Sequence, residues 1–145
     1  MNSITQEHDF GCGLACVAFV TANTYSTIVS YINREQAAQK GFYCKELCLL
    51  LKRFGLDYSH RHVNSCLRST IYKEGTIVFI KRSKRYPAGH YLVRHNTLWM
   101  DSWINFPKDR NIANAISGFR KRLPGKVQYI LFKKNLKKRF SDRYF

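Results

Sequence analysis

The stretch Gln6–Val20, QEHDFGCGLACVAFV, decides the reading of this chain. From Cys12 the run CGLACVAFVTAN is apolar, compact and free of proline, which predicts a buried helix ending near Asn23. Cys12 stands where that helix begins. Gly11 and Gly13 flank it, small enough to let a substrate backbone come close. A helix N-terminus favours negative charge, and the thiolate is the nucleophilic form of cysteine. Upstream, Gln6 carries an amide N–H of the kind that can stabilise an oxyanion.

Outward from this stretch the chain divides into a helical part and a strand part. A second short helix is expected around Ser26–Arg34. A third is marked by Cys44, Leu47, Cys48, Leu51 and Phe54, which share one helical face and are followed by Gly55 as a stop. Thr76–Ile80, His90–Arg94, Leu98–Trp103 and Val127–Phe132 then read as strands, short, β-branched or aromatic, and bounded by turn residues. His95-Asn96-Thr97 is short enough to close a hairpin between the second and third of these. A helical turn is expected across Ile112–Arg122, where Ile112, Ile116 and Phe119 share a face. Helices first and strands afterwards imply an α+β fold, with N-terminal helices packed on an antiparallel sheet. With no internal repeat and no linker, residues 1–145 are expected to form a single domain ending in a basic tail from about 133.

Thiol catalysis needs more than a cysteine: a base to take its proton, a third group to orient the base, and donors for the oxyanion. His90 opens a strand directly after Gly89, and Asp101 falls on the next strand of the expected hairpin. Antiparallel neighbours can bring such side chains within hydrogen-bond reach, so Asp101 is placed to hold the imidazole of His90. The candidate site is therefore Cys12 as nucleophile, His90 as base, Asp101 as orienting acid and Gln6 as oxyanion donor.

At this point the sequence resembles a known family. Gln6, Cys12, Gly13, Ala15 and Cys16 resemble the signature of the double-glycine leader peptidases, papain-like domains that trim bacteriocin precursors at peptide exporters. Leu47–Leu56 (LCLLLKRFGL) is similar to that family's third-helix segment. Gly89-His90-Tyr91-Leu92-Val93 is similar to its histidine strand and Met100-Asp101-Ser102 to its aspartate strand. The likeness runs from Gln6 to about Trp103. It implies a papain-like fold, cysteine-peptidase activity with no cofactor, and the same four roles for Cys12, His90, Asp101 and Gln6. Two positions depart from the pattern: Gly11 stands where aspartate usually precedes the cysteine, and Ser102 where proline commonly follows the aspartate.

Composition sets the remaining bounds. Apolar residues make up 45% of the chain, with ten Phe and nine Tyr, so it is not a disordered polymer. The formal charge of +16 would draw it towards an acidic protein, nucleic acid or an anionic membrane. Much of that charge follows Arg120, with Lys133-Lys134 and Lys137-Lys138-Arg139 interleaved with Leu136, Phe140, Tyr144 and Phe145. Five cysteines, an odd number without a leader sequence, suggest reduced thiols. Pairs at Cys12/Cys16 and Cys44/Cys48, with His60 and His62 nearby in sequence, have zinc-like chemistry. Their spacing instead suits one face of an apolar helix, so no metal is expected. Cys66 carries no motif. No run of about 18 apolar residues marks a membrane span.

The chain is thus expected to be cytoplasmic where it is made, or delivered into a target cell without a classical signal peptide. A peptide or protein substrate is the expected partner. A separate exporter would accompany precursor maturation, and an acidic immunity or inhibitor protein would accompany a toxin role. Nucleic acid at the basic tail is a less favoured partner. The alternative from another class is a peptidase-like basic module without turnover that binds an anionic partner.

Overall fold

The computed structural model describes residues 1–134, so the tail expected at about 133–145 lies, beyond Lys134, outside the described residues. Four helices come first: α1 (Cys12–Thr21), α2 (Tyr25–Val29), α3 (Arg34–Gln39) and α4 (Cys44–Arg53). Then follow β1 (Tyr58–His62), a 3-10 turn at Ser65–Leu67, α5 (Arg68–Ile71), β2 (Ile77–Ile80), β3 (His90–His95) and β4 (Leu98–Asp101). A second 3-10 turn at Ile112–Asn114 leads to β5 (Gly118–Arg120) and β6 (Val127–Lys133). The strands make one six-stranded antiparallel sheet in the order β1-β6-β2-β3-β4-β5. The architecture is α+β. Among the described residues no helix is long and apolar enough to cross a membrane.

Both sheet faces are covered, and the two-residue period of the strands shows it. Ile77, Tyr91, Val93, Met100 and Leu131 join the core beneath α1, α2 and α4. Their neighbours Val78, Leu92, Trp99 and Ile130 pack on the other side with Ile71 and Ile80. A strand buried on both faces reads as a continuous apolar run, which is why Thr76–Ile80 stands out in the sequence. The centre of α1 is wrapped by protein on every side, with Leu14 through Ala18 fully buried. A helix apolar all round needs such a place. Ala22, in the left-handed region at φ 56°, ends α1 two residues earlier than the sequence suggests.

Three expectations need correction. The helix expected around Ser26–Arg34 is α2, which ends at Val29, and α3 is a further helix that starts only at Arg34. Asn33 separates them, its side chain accepting from Glu35 N at 2.9 Å and so capping a fresh helix start. The helical turn expected across Ile112–Arg122 is only the 3-10 turn; Gly118–Arg120 pairs with β4 instead. Ile116, part of the apparent apolar face, is 60% exposed, so that pattern never met a core. The strand β1, YSHRH, was not foreseen. It pairs with β6 at the sheet edge, and its mostly exposed polar residues give little alternation to detect.

Candidate active site

The first turn of α1 delivers Cys12, and its two glycines have packing reasons. A Cβ on Gly11 would lie 2.0 Å from the Tyr25 hydroxyl, and one on Gly13 would lie 2.8 Å from Leu47 Cδ1. These glycines therefore let α1 seat against α2 and α4. That is a packing role beside the one expected from the sequence. Gly11 is also the N-cap, and with no side chain it leaves the first-turn N–H groups of α1 uncapped. No acidic residue occupies that turn. Positive potential at the helix start thus falls on the sulfur of Cys12.

Strand β3 supplies the other half. The Tyr91 backbone N–H donates to Cys12 Sγ at 3.5 Å, which fixes the start of β3 against the start of α1. One residue earlier, His90 sits beside Cys12, near enough for the sulfur to act on the charge of its ring, and is 5% exposed. Its Nε2 lies 2.7 Å from Asp101 Oδ1, leaving Nδ1 as the ring nitrogen for the sulfur. Gly89 makes this entry possible. Its φ of +74° suits glycine, and a Cβ there would lie 2.1 Å from Phe79 Cζ.

Asp101, at the end of β4, is fully buried and closely held. Besides His90, Oδ1 accepts from Trp103 N at 3.0 Å, and Oδ2 accepts from Arg120 Nη1 at 3.1 Å. Burial works against the charge of this carboxylate. The charge and hydrogen bond of His90, the Trp103 N–H and the Arg120 guanidinium outweigh it and hold Asp101 below the usual carboxylate range. For His90 burial pulls downward. The Asp101 carboxylate, by charge and hydrogen bond, with Cys12 adding to it, lifts the imidazole to about 10 instead. At neutral pH the pair is imidazolium and carboxylate.

Gln6 is 2% exposed and is tied to the same strand end. Ser102 Oγ donates to Gln6 Oε1 at 2.7 Å, while Gln6 N donates to Ser102 O at 3.3 Å. The amide Nε2 donates to His8 O at 3.0 Å and Asp9 O at 3.3 Å. Consecutive residues, Asp101 and Ser102, therefore hold His90 and Gln6. With Cys12, His90 and Gln6 line a cleft of about 1640 Å³. The four residues read from the sequence thus converge on one place.

Sequence reasoning missed the supports. Arg120 sits on β5, which was taken for a helical turn. Ser102 was noted only as a departure from a pattern. Tyr86 stacks on the His90 ring, with centroids 5.1 Å apart and planes 13° from parallel, and Phe106 stacks on Tyr86 at 5.5 Å. An aromatic wall thus fixes the imidazole plane on one side. No sequence signal marks Tyr86 beyond its position just ahead of Gly89-His90.

The remaining cysteines lie elsewhere. Cys16 and Cys44 are buried, Cys48 is partly buried against the helix core, and Cys66 is exposed. Burial pushes the Cys16 and Cys44 thiols up, and that of Cys48 to about 11. Set against models of known protein families and against curated proteins, the chain matches none.

Proposed function

We propose that this chain is a papain-like cysteine peptidase, or a closely related amide hydrolase, acting through an acyl-enzyme. What carries the reading is the arrangement at the α1 terminus: the Cys12 sulfur beside the His90 ring, both lining a cleft, with a buried Asp101 carboxylate 2.7 Å beyond the ring. The resemblance of the segments around Gln6, Cys12, His90 and Asp101 to double-glycine leader peptidases supports it.

In the reacting form Cys12 is the thiolate and His90 carries the proton. Cys12 sulfur attacks the substrate carbonyl carbon, forming a C–S bond while the carbonyl electrons move to oxygen. The Cys12 backbone N–H and, after turning from its resting acceptors, the Gln6 amide stabilise that oxyanion. As the C–N bond breaks, the His90 proton passes to the leaving amine, leaving a thioester and neutral imidazole. His90 then takes a proton from water. The hydroxide attacks the thioester, the carboxylic acid leaves and the imidazolium returns. Asp101 keeps the ring oriented throughout. No step calls on a metal or cofactor.

Two settings suit this chemistry: maturation of a peptide precursor beside an exporter, or a toxin domain restrained by an acidic immunity protein. The first places the protein in the cytoplasm where it is made; the second has it delivered to a target cell. The charge of +16 favours one other reading, a basic module that keeps this arrangement but binds an anionic partner without turnover. Thiol labelling separates the two. Limiting iodoacetamide followed by mass spectrometry should alkylate Cys12 at least tenfold faster than exposed Cys66, and Cys12→Ala should abolish hydrolysis while leaving the circular dichroism unchanged. Equal labelling of Cys12 and Cys66, or full activity in Cys12→Ala, sinks the peptidase reading.

A further inference from the structure

The cleft is electrically lopsided. Where it is lined by the segment from α3 to the start of α4, Glu35 and Glu46 balance Lys40 and Lys45. Where it is lined by the β2–β3 connection and the 103–110 loop, it shows Lys81, Arg82 and Arg110 and no acid. The connection itself reads KRSKRYP from Lys81, so Lys84 and Arg85 add two further exposed cations. Among the described residues none of these five takes part in an ion pair. They are also not scattered. The Arg85 guanidinium lies 5.5 Å from the Tyr86 ring centre and Arg110 lies 5.4 Å from that of Phe106. Tyr86 and Phe106 are the rings stacked beyond His90. The aromatic wall that orients the catalytic imidazole therefore holds two of the cations at the cleft edge.

From this we infer that the cleft takes an acidic peptide, with Asp or Glu side chains of the substrate lying along the Lys81–Arg85 connection and Arg110. The inference rests on the peptidase reading for the word substrate, though not for the binding itself. A ligand there meets donors, the exposed lysine and arginine side chains at the edge. Carboxylates are matched acceptors for guanidinium groups. Single-stranded nucleic acid would bring acceptors too, but it is held by aromatic rings offered for base stacking. Beside the cations, Tyr86 and Trp103 are 2% and 4% exposed, their faces already spent inside the protein; the exposed lining ring, Tyr43, belongs to the segment before α4 and not to the cationic connection.

The test uses the full chain and a fluorescein-labelled hexaglutamate peptide, followed by anisotropy. The double variant Lys81→Glu/Arg82→Glu should weaken binding at least tenfold. Arg61→Glu/Arg68→Glu, which reverses the same number of exposed charges away from the cleft, should change it less than threefold. Arg110→Glu, on a separate loop, should weaken it at least threefold and stands in if the first pair misfolds. Unlabelled hexaglutamate should also slow alkylation of Cys12 at least fivefold in the parent protein and leave Cys66 unaffected. Equal weakening by the cleft and remote pairs would show general charge attraction and overturn the inference. So would binding without protection of Cys12, or tighter binding and equal protection by a ten-residue oligothymidylate. If Cys12 labels no faster than Cys66 yet hexaglutamate still protects it, the peptidase reading falls and the acidic-peptide site stands.

Discussion

Replacing Asp101 by Asn should turn His90 from a group that is charged at neutral pH into one that is neutral there. Two effects oppose each other at this ring, and their sizes decide the outcome. At 2.7 Å and an effective dielectric of about 20, the attraction between unit charges is about 6 kcal/mol, or roughly four pK units. Burial is the largest single effect, but that attraction together with the Asp101 hydrogen bond and the Cys12 sulfur outweighs it, and the imidazole rises from 6.5 to about 10. An asparagine keeps the shape and a carbonyl acceptor for Trp103 N and removes the charge. Burial then wins, and His90 should titrate below 6.5. The signs for stability follow. His90 is raised, so its contribution is complete below about 6.5 and fades as pH climbs to about 10. Asp101 is lowered, so its contribution is complete above the ordinary 3.8 and is lost as pH falls through its depressed value. Asp101→Asn should thus cost most between about pH 4 and 6.5, on the order of 3–5 kcal/mol, as when one partner of a buried pair is removed. That penalty should shrink towards pH 10. An NMR titration of the His90 ring in both proteins, with urea melts at pH 5, 7 and 10, measures both quantities. If His90 titrates near 10 in the variant, or near 6.5 in the parent, the account of its charge is wrong.

Ser102→Ala removes the donor to buried Gln6 Oε1 and should cost about 1–3 kcal/mol in urea melts. It should also lower kcat about tenfold, and adding Gln6→Ala should cost little more; additive losses would mean that Ser102 does not act through Gln6. Gly89→Ala puts a Cβ against Phe79 at a positive φ and should destabilise the fold by about 2–4 kcal/mol, so a melting temperature equal to the parent's would refute that packing. Truncation after Lys134 should spare folding and turnover of a small neutral substrate while weakening salt-sensitive binding to anions. Loss of turnover in the folded truncated protein would place the tail in the active site.

The contrast between what the sequence discloses and what it hides has a physical basis. Cys12, His90, Asp101 and Gln6 stand out in the sequence because the thiol chemistry proposed for them restricts each role to a few side-chain types. The centre of the sheet is legible for a related reason: Ile77–Ile80 and Tyr91–Val93 are packed on both faces, which suits apolar residues. At the edges neither restriction holds. Strand β1 is mostly exposed, and β5 has three half-buried residues, too few to show a period. Yet β5 places Arg120 opposite Trp99 in register, and from there its guanidinium reaches the buried Asp101 carboxylate. Nothing about an arginine in a basic stretch announces that one among many cations holds the buried Asp101. Support can come from any residue that happens to arrive, so it is specified by register, and register is a property of the folded sheet. The same reasoning explains Ser102. A backbone step past Asp101, it is the point from which a hydroxyl reaches Gln6, and a proline there would offer no such donor. A departure from a family pattern can thus mark a place where this chain holds the buried Gln6 amide by its own means.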